Sequence, residues 1–346
     1  MKVLMTHDRF APDFGGGGEY VALETAHGLA RRGIEVRVLT TGDPSVTEYE
    51  GIETIRLPMH RYRFNLAARH IARLARQADL IHTFNYHACL PSLAAGRRLS
   101  KPVVCMILGL FGPAWRQMRG PVLGRAWMLW ERYLITRPYT RLIFPSAYSR
   151  EQGLRMGVAP QRTLVNCPGI DADYFGQVGD KQDVILFVGK LDVRKGIDDL
   201  LEAARAVPEA RFRVMGWGDG EATLRRQAPT NVEFVPFERG RKLREAFAAA
   251  RIFLLPSRAE TFGIAVLEAM ASGCAVISTI PLEFEGIRVE PGDRPAIIDA
   301  VRRLWADPDL TRQMGLRNAQ LAPAYTWDRF LATLTDTYDQ ILGGQR

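Results

Sequence analysis

The chain has 346 residues, 47% hydrophobic and 24% charged, which excludes a disordered tract and exceeds one ordinary hydrophobic core, so two domains are expected. Formal net charge is +8, unevenly spread: residues 1–170 hold 23 Lys and Arg against 12 Asp and Glu, and residues 171–346 hold 23 against 26. A basic first half calls for an anionic partner, and the candidates are nucleic acid, an anionic membrane surface or a phosphorylated acceptor.

Four scattered cysteines, Cys89, Cys105, Cys167 and Cys274, predict reduced thiols in a cytosolic protein, with neither a disulfide framework nor a zinc site. Lys2 to Thr6 reads directly as a strand, without a signal peptide, and no apolar run reaches the ~20 residues a bilayer span requires.

In chain order the first half alternates strand-like segments (Lys2 to Thr6, Glu35 to Thr41, Ala78 to Thr83, Pro102 to Leu108, Arg141 to Pro145, Thr163 to Cys167) with helical patterns (Glu19 to Arg32, Asn65 to Gln77, Gly124 to Arg137). The second half repeats this with strands at Val184 to Gly189, Arg211 to Met215, Val232 to Pro236, Ile252 to Leu255 and Ala275 to Ser278. Its helices fall near Lys195 to Arg205, Glu221 to Gln227, Arg241 to Ala250 and Gly263 to Ser272. Such alternation predicts an α/β protein of two doubly wound, Rossmann-like domains, residues 1–170 and 171–326. The remaining segment, 327–346, reads as an amphipathic helix with no strand to follow and is a candidate to return to the first domain.

Four stretches carry chemistry. Ala11-Pro-Asp-Phe-Gly-Gly-Gly-Gly-Glu-Tyr20 follows the first strand and opens a helix; glycines such as Gly16 and Gly17 let backbone approach a phosphate or sugar, although a flexible linker has the same composition. The dinucleotide spacing G-x-G-x-x-G is absent. Gly189-Lys-Leu-Asp-Val-Arg-Lys-Gly196 places Lys190, Arg194 and Lys195 just past a strand, where cations can neutralise a diphosphate leaving group; the competing reading is a solvated charged loop. Met215-Gly-Trp-Gly-Asp-Gly220, with Gly216, is another strand-end loop that could admit a nucleobase and ribose. Between Pro256 and Thr279 two carboxylates stand eight residues apart, Glu260 in a loop and Glu268 about five residues into a helix, whose start brings unpaired amides and a positive dipole end favourable to phosphate.

The order of these elements resembles the retaining glycosyltransferases of family 4, which have the GT-B architecture of two facing Rossmann-like domains. The resemblance runs from Met1 to about Leu342. It is carried by Glu260 and Glu268 around Thr-Phe-Gly and the following Ala-Met-Ala-Ser-Gly, with support from the early glycine loop, Leu29-Ala-Arg-Arg-Gly33, Ser146 to Leu154, Cys167-Pro-Gly-Ile-Asp171 with Phe175, Gly189 to Gly196, and Trp327. It implies sugar transfer from a nucleotide diphosphate sugar with retained anomeric configuration, to a glycan precursor or lipid-linked acceptor, with no metal or cofactor. Glu268 would bind the ribose and Glu260 the donor sugar. Phe262, Gly263, Ile264 and Leu267 would lie against the donor, and Lys190 and Lys195 would hold the diphosphate.

The sequence departs from the family at three places. Lys190 stands where arginine is usual, which keeps charge but loses a bidentate fork. Leu108, before Gly109, occupies the usual place of an active-site histidine; His87 at another strand end is a candidate substitute on the acceptor side, beside its reading as a helix-start or core histidine. The loop after Thr279 is short. Asp171-Ala-Asp173 resembles a metal-binding aspartate motif but lies in the interdomain connector, so no metal is assigned. Phe111 to Arg137 interleaves three tryptophans with arginines, and Arg69, Arg73 and Arg76 share a helix face; both suit an anionic membrane interface, while a helix packed on the sheet fits equally. A catalytically silent nucleotide- or partner-binding subunit remains the alternative to an enzyme. Nucleic-acid binding lacks a reading motif, and the histidines and acids of a two-domain nucleotide-sugar epimerase are not evident.

Overall fold

The computed structural model describes residues 1–13, 16–170, 174, 180–218 and 220–344. The chain forms two compact units, one built from residues 1–169 and 327–346, the other from residues 170–326.

In the first unit the order is β1 (Lys2–Thr6), α1 (Gly17–Arg31), β2 (Glu35–Thr41), β3 (Glu48–Tyr49), β4 (Ile52–Leu57), α2 (Ala68–Ala75), β5 (Leu80–Phe84), α3 (Cys89–Leu99), β6 (Val103–Met106), α4 (Ala114–Arg119), α5 (Pro121–Ile135), β7 (Arg141–Phe144), α6 (Ala147–Arg155) and β8 (Thr163–Val165). The eight strands lie in the order β3-β4-β2-β1-β5-β6-β7-β8, and every pair is parallel except β3 with β4. Strands buried on both faces read as apolar runs, as Val3-Leu-Met5 and Val103-Val-Cys-Met106 do.

The second unit holds β9 (Gln182–Lys190), α7 (Ile197–Ala206), β10 (Phe212–Trp217), α8 (Glu221–Gln227), β11 (Val232–Pro236), α9 (Arg241–Ala249), β12 (Ala250–Leu255), α10 (Ile264–Ala271), β13 (Ala275–Ser278), β14 (Gly286–Arg288), α11 (Arg294–Ala306) and α12 (Pro308–Leu321). Its sheet is wholly parallel in the order β11-β10-β9-β12-β13-β14. Sequential strands run outward from β9 in one direction and then restart at β12 on its other side. Such a reversal parts the loops at the carboxyl ends and leaves a crevice where ligands of doubly wound sheets bind. The first sheet reverses in the same way between β1 and β5.

The last helix, α13 (Trp327–Gly343), belongs to the first unit and packs on α1. Gly28 permits this approach, since a Cβ there would fall 2.1 Å from Leu331 Cδ1.

Several expected boundaries move. The helix expected from Asn65 to Gln77 is a 3-10 turn, Arg61–Leu66, followed by the shorter α2. The strand expected to Leu108 ends at Met106, because Asn85 draws the next residues out of the ladder: its Oδ1 accepts from Leu108 N at 2.8 Å and Gly109 N at 3.3 Å, and its Nδ2 donates to Gly109 O. The strand expected to Cys167 ends at Val165, as Asn166 Nδ2 donates to Phe330 O at 3.0 Å. Ser146, expected in a supporting motif, caps α6 by accepting from Ser149 N at 3.1 Å. Asp171, Asp173 and Phe175 lie outside the described residues.

Candidate active site

Register sets the site in the second unit. Lys190 is level with Trp217, and β12 lies on the other side of β9, so the loops after β9, β10 and β12 emerge side by side. Gly189 pairs with Gly216 in the same ladder. The loops after β9 and β12 are then held against each other. Gly196, at φ +69°, sits where a Cβ would lie 2.1 Å from Pro256 O, so glycine alone permits the approach. Arg194 O accepts from Arg258 N at 2.7 Å and Ala259 N at 3.3 Å.

This brings Lys195 Nζ onto Glu260 Oε2 in an ion pair, both side chains about one-fifth exposed at 19% and 18%. Glu260 Oε1 also accepts from Thr261 N at 3.0 Å. Burial pushes the Glu260 carboxyl up, but Lys195, the Thr261 amide and Arg194 together outweigh it and hold the group below its ordinary value. Arg194 is itself held by Asp192, with Nη2 2.8 Å and Nε 3.2 Å from Oδ2. Of the three cations in this loop, two therefore have carboxylates of their own. Lys190, half-buried at the end of β9, makes no ion pair with any described residue.

Thr261, Phe262 and Gly263 lead from Glu260 into α10. Gly263 takes φ +84°, and no described side chain caps the helix; Val266 N donates back to Gly263 O at 2.8 Å, which leaves the Ile264 and Ala265 amides at the helix start to meet an anion. Ile264 and Glu268 are half-buried and four residues apart, hence on one face of α10. Phe262 and Leu267 are buried in the core, so any contact they make with a ligand is through backbone. Gly16, the N-cap of α1, and exposed Gly17 lie in the first unit.

The carboxyl edge of the first sheet has its own cluster. Leu108 stands beside the start of α1, with Cδ1 3.4 Å from the position of a Cβ on Gly18. His87 is 7% exposed and its Nδ1 lies 3.0 Å from Asn65 Nδ2. The amide is a donor, so Nδ1 accepts and the ring proton sits on Nε2. Burial lowers the His87 pKa and keeps the ring neutral. Gly109 packs against Tyr86 and Phe111.

Of the two readings of the Trp-rich segment, the tryptophan rings bear on the packed one. Its indoles pack on one another: buried Trp115 and half-buried Trp127 and Trp130 follow at ring separations of 5.0 and 5.2 Å, and Trp130 reaches Tyr86 and His87 at 5.9 Å. What α5 exposes is a stripe of Val122 (84%), Leu129 (64%) and Tyr133 (50%) beside Arg125 and Arg132.

Several residues were invisible to sequence reasoning. Asp192 could have been found two residues before Arg194, the spacing of an Asx turn. Asp199 and Arg258 gave no signal, since their pairing spans 59 residues.

Among the described residues no group of three or more His, Cys, Asp or Glu is placed to hold a metal ion. Two family models match the chain, "Glycosyltransferase Family 4" over residues 15–174 and "Glycosyl transferases group 1" over residues 182–307. The chain belongs to glycosyltransferase family 4.

Curated members of the family resemble it at low identity. The sulfoquinovosyl transferase SQD2 of Arabidopsis thaliana is 26% identical, and the match covers 86% of this chain but 66% of that protein. The O-antigen chain mannosyltransferase C of Escherichia coli is 24% identical over 99% of both chains. A D-inositol 3-phosphate glycosyltransferase of Geodermatophilus obscurus is 27% identical, over 95% of this chain and 85% of the other. Solved structures show the GT-B fold: sucrose-phosphate synthase from Thermosynechococcus elongatus superimposes with a TM-score of 0.81 at 22% identity over 99% of both chains. HepE of Anabaena in complex with UDP-glucose gives 0.79 at 17% identity, over 98% of this chain and all of the other.

Proposed function

We propose that this family 4 enzyme transfers a hexose from a nucleotide diphosphate sugar to a glycan precursor or lipid-linked acceptor, retaining the anomeric configuration and using no metal ion. The observation that carries the reading is the Lys195–Glu260 pair beside the uncapped start of α10, with Lys190 at the adjoining strand end. Cations and helix amides fixed before reaction stabilise the charge that develops on a departing diphosphate, an effect worth several kcal/mol at sites of this kind. Glu268 binds the ribose and Glu260 a hydroxyl of the sugar, positioned by Lys195. HepE, with the same fold, was solved with UDP-glucose, which supports a nucleotide-sugar donor. The relatives' names, which include sulfoquinovosyl and O-antigen mannosyl transfer, support glycolipid and surface-glycan acceptors.

On the first unit, His87 and the Gly109 backbone serve the acceptor, and the protein is cytoplasmic and peripheral to the inner face of a membrane. The exposed apolar stripe of α5 flanked by arginines supports this attachment; among the described residues no helix is long and apolar enough to cross a membrane.

Calorimetry of nucleoside diphosphate binding tests the donor site. Glu268→Ala is expected to weaken affinity about ten-fold or more through loss of a charge-assisted hydrogen bond, and unchanged affinity removes Glu268 from the site. The reading as a silent subunit is favoured by Leu108 in the usual histidine place. Transfer or hydrolysis of UDP-glucose or GDP-mannose by the purified chain decides against it.

A further inference from the structure

The two loops that carry Lys195 and Glu260 meet at a group of charges that the donor reading does not use. Asp199, on the first turn of α7, is fully buried at 0% side-chain exposure. Its Oδ1 accepts from Arg258 Nη2 at 2.7 Å and from Arg294 Nε at 2.8 Å, and its Oδ2 accepts from Arg258 Nε at 2.9 Å. Arg258 lies two residues before Glu260, and Asp199 four residues after Lys195. Arg294 arrives from the first turn of α11. The buried carboxylate therefore ties the backbone leading into Glu260 to the helix leading out of Lys195, with a third element bracing it. Burial raises the Asp199 carboxyl, and the two guanidinium groups outweigh that and hold it ionised.

We infer that Asp199, Arg258 and Arg294 are positioning residues that fix the Lys195–Glu260 pair. A bidentate guanidinium on a buried carboxylate is directional in a way that a single contact is not. Two strand-end loops with only the Lys195–Glu260 contact between them would hold it loosely, because a single ammonium on a flexible stem fixes no direction. The Gly196–Pro256 approach and the amide bonds to Arg194 O set the backbones, and Arg258 sets the direction in which the chain leaves them toward Glu260. The catalytic consequence rests on the donor reading above; the positioning itself does not.

Glu260 reports the geometry without any ligand. Its low pKa depends on Lys195, the Thr261 amide and Arg194 being in place, with Asp192 facing Arg194 from the same loop. The experiment is carboxyl carbon-13 NMR of the full chain, with the Glu260 resonance assigned by its loss in Glu260→Gln. In Arg258→Met the Glu260 pKa is expected to rise toward the ordinary glutamate value, with Arg258→Lys in between, while circular dichroism shows the fold retained. Should Arg258→Met not fold, Arg294→Met removes only a half-exposed arm and is expected to shift Glu260 the same way by less. An unchanged Glu260 titration in the folded variants overturns the inference and leaves the cluster a stabilising one. Hydrolysis of UDP-glucose or GDP-mannose separates the two readings: if Glu260→Gln leaves turnover intact, the donor assignment falls while the positioning stands.

Discussion

Glu131 shows how a single side chain can organise a region that no motif marks. It is fully buried on α5, and its carboxylate accepts from Tyr86 Oη at 2.5 Å, Gly112 N at 2.7 Å, Trp115 Nε1 at 2.9 Å and Phe111 N at 3.0 Å. Glu131→Ala leaves four donors without this acceptor in a buried setting, and a loss of about 3–5 kcal/mol is expected. Urea denaturation measures it; a loss under about 1 kcal/mol means that water or rearrangement satisfies those donors. In sequence Glu131 looks like an ordinary helix-surface acid, whereas Glu260, Lys190 and Lys195 could be singled out as candidates because they lie in short motifs past strand ends, and Glu268 by its spacing from Glu260. The pairing of Lys195 with Glu260 was not legible, since it depends on which strands are neighbours. On the proposed donor reading, that pairing leaves Lys190 as the cation in this loop without a carboxylate partner among the described residues. Lys190→Met is accordingly expected to weaken nucleoside diphosphate binding about ten-fold or more and Lys190→Arg far less. Equal affinity for all three proteins assigns Lys190 to solvent.

At the scale of elements, the alternation of strands and helices was readable because parallel strands are continuous apolar runs and amphipathic helices separate them. The misses follow from local weakness. α3 carries Pro91 in its first turn and little amphipathic contrast, and β4, Ile52-Glu-Thr-Ile-Arg-Leu57, carries charges that obscure a half-buried strand. The seating of α13 rests on a contact far apart in sequence: Tyr338 Oη meets His82 Nδ1, both residues fully buried, while His82 Nε2 finds no partner among the described residues. Burial pushes the His82 pKa down to about 3. A histidine lowered in the folded state contributes stability that is complete above its ordinary value near 6.5. That stability is lost as pH falls toward 3, at up to ~1.4 kcal/mol per pH unit. Comparing urea midpoints at pH 7 and pH 5 tests this. The wild type is expected to lose more than the double variant His82→Leu, Tyr338→Phe, and equal losses would show that carboxylates alone govern the acid side.

Over the whole molecule, charge and exposed apolar surface converge on the first half of the chain. The excess of basic residues lies in residues 1–170. There the 3-10 turn before α2 exposes Tyr62 and Leu66, and α5 exposes Val122, Leu123, Leu129 and Tyr133. Arg69, Arg73 and Arg76 are exposed as well. An apolar stripe edged with arginine binds a bilayer through two additive terms: apolar side chains entering the interface, and attraction of about 1 kcal/mol per basic residue near an anionic surface, which salt screens. The two terms separate in a flotation assay with vesicles of phosphatidylcholine alone or mixed with phosphatidylglycerol. Binding is expected only with the anionic lipid and is expected to weaken as salt rises from about 0.1 to 0.5 M. Val122→Asp with Leu129→Asp should abolish it at every salt concentration without lowering the thermal midpoint, because neither side chain packs into the core. Arg125→Gln with Arg132→Gln should weaken binding to the anionic vesicles and flatten its salt dependence. If the aspartate variant floats as the wild type does, α5 is an ordinary solvated face, and any attachment to the bilayer lies elsewhere on the chain.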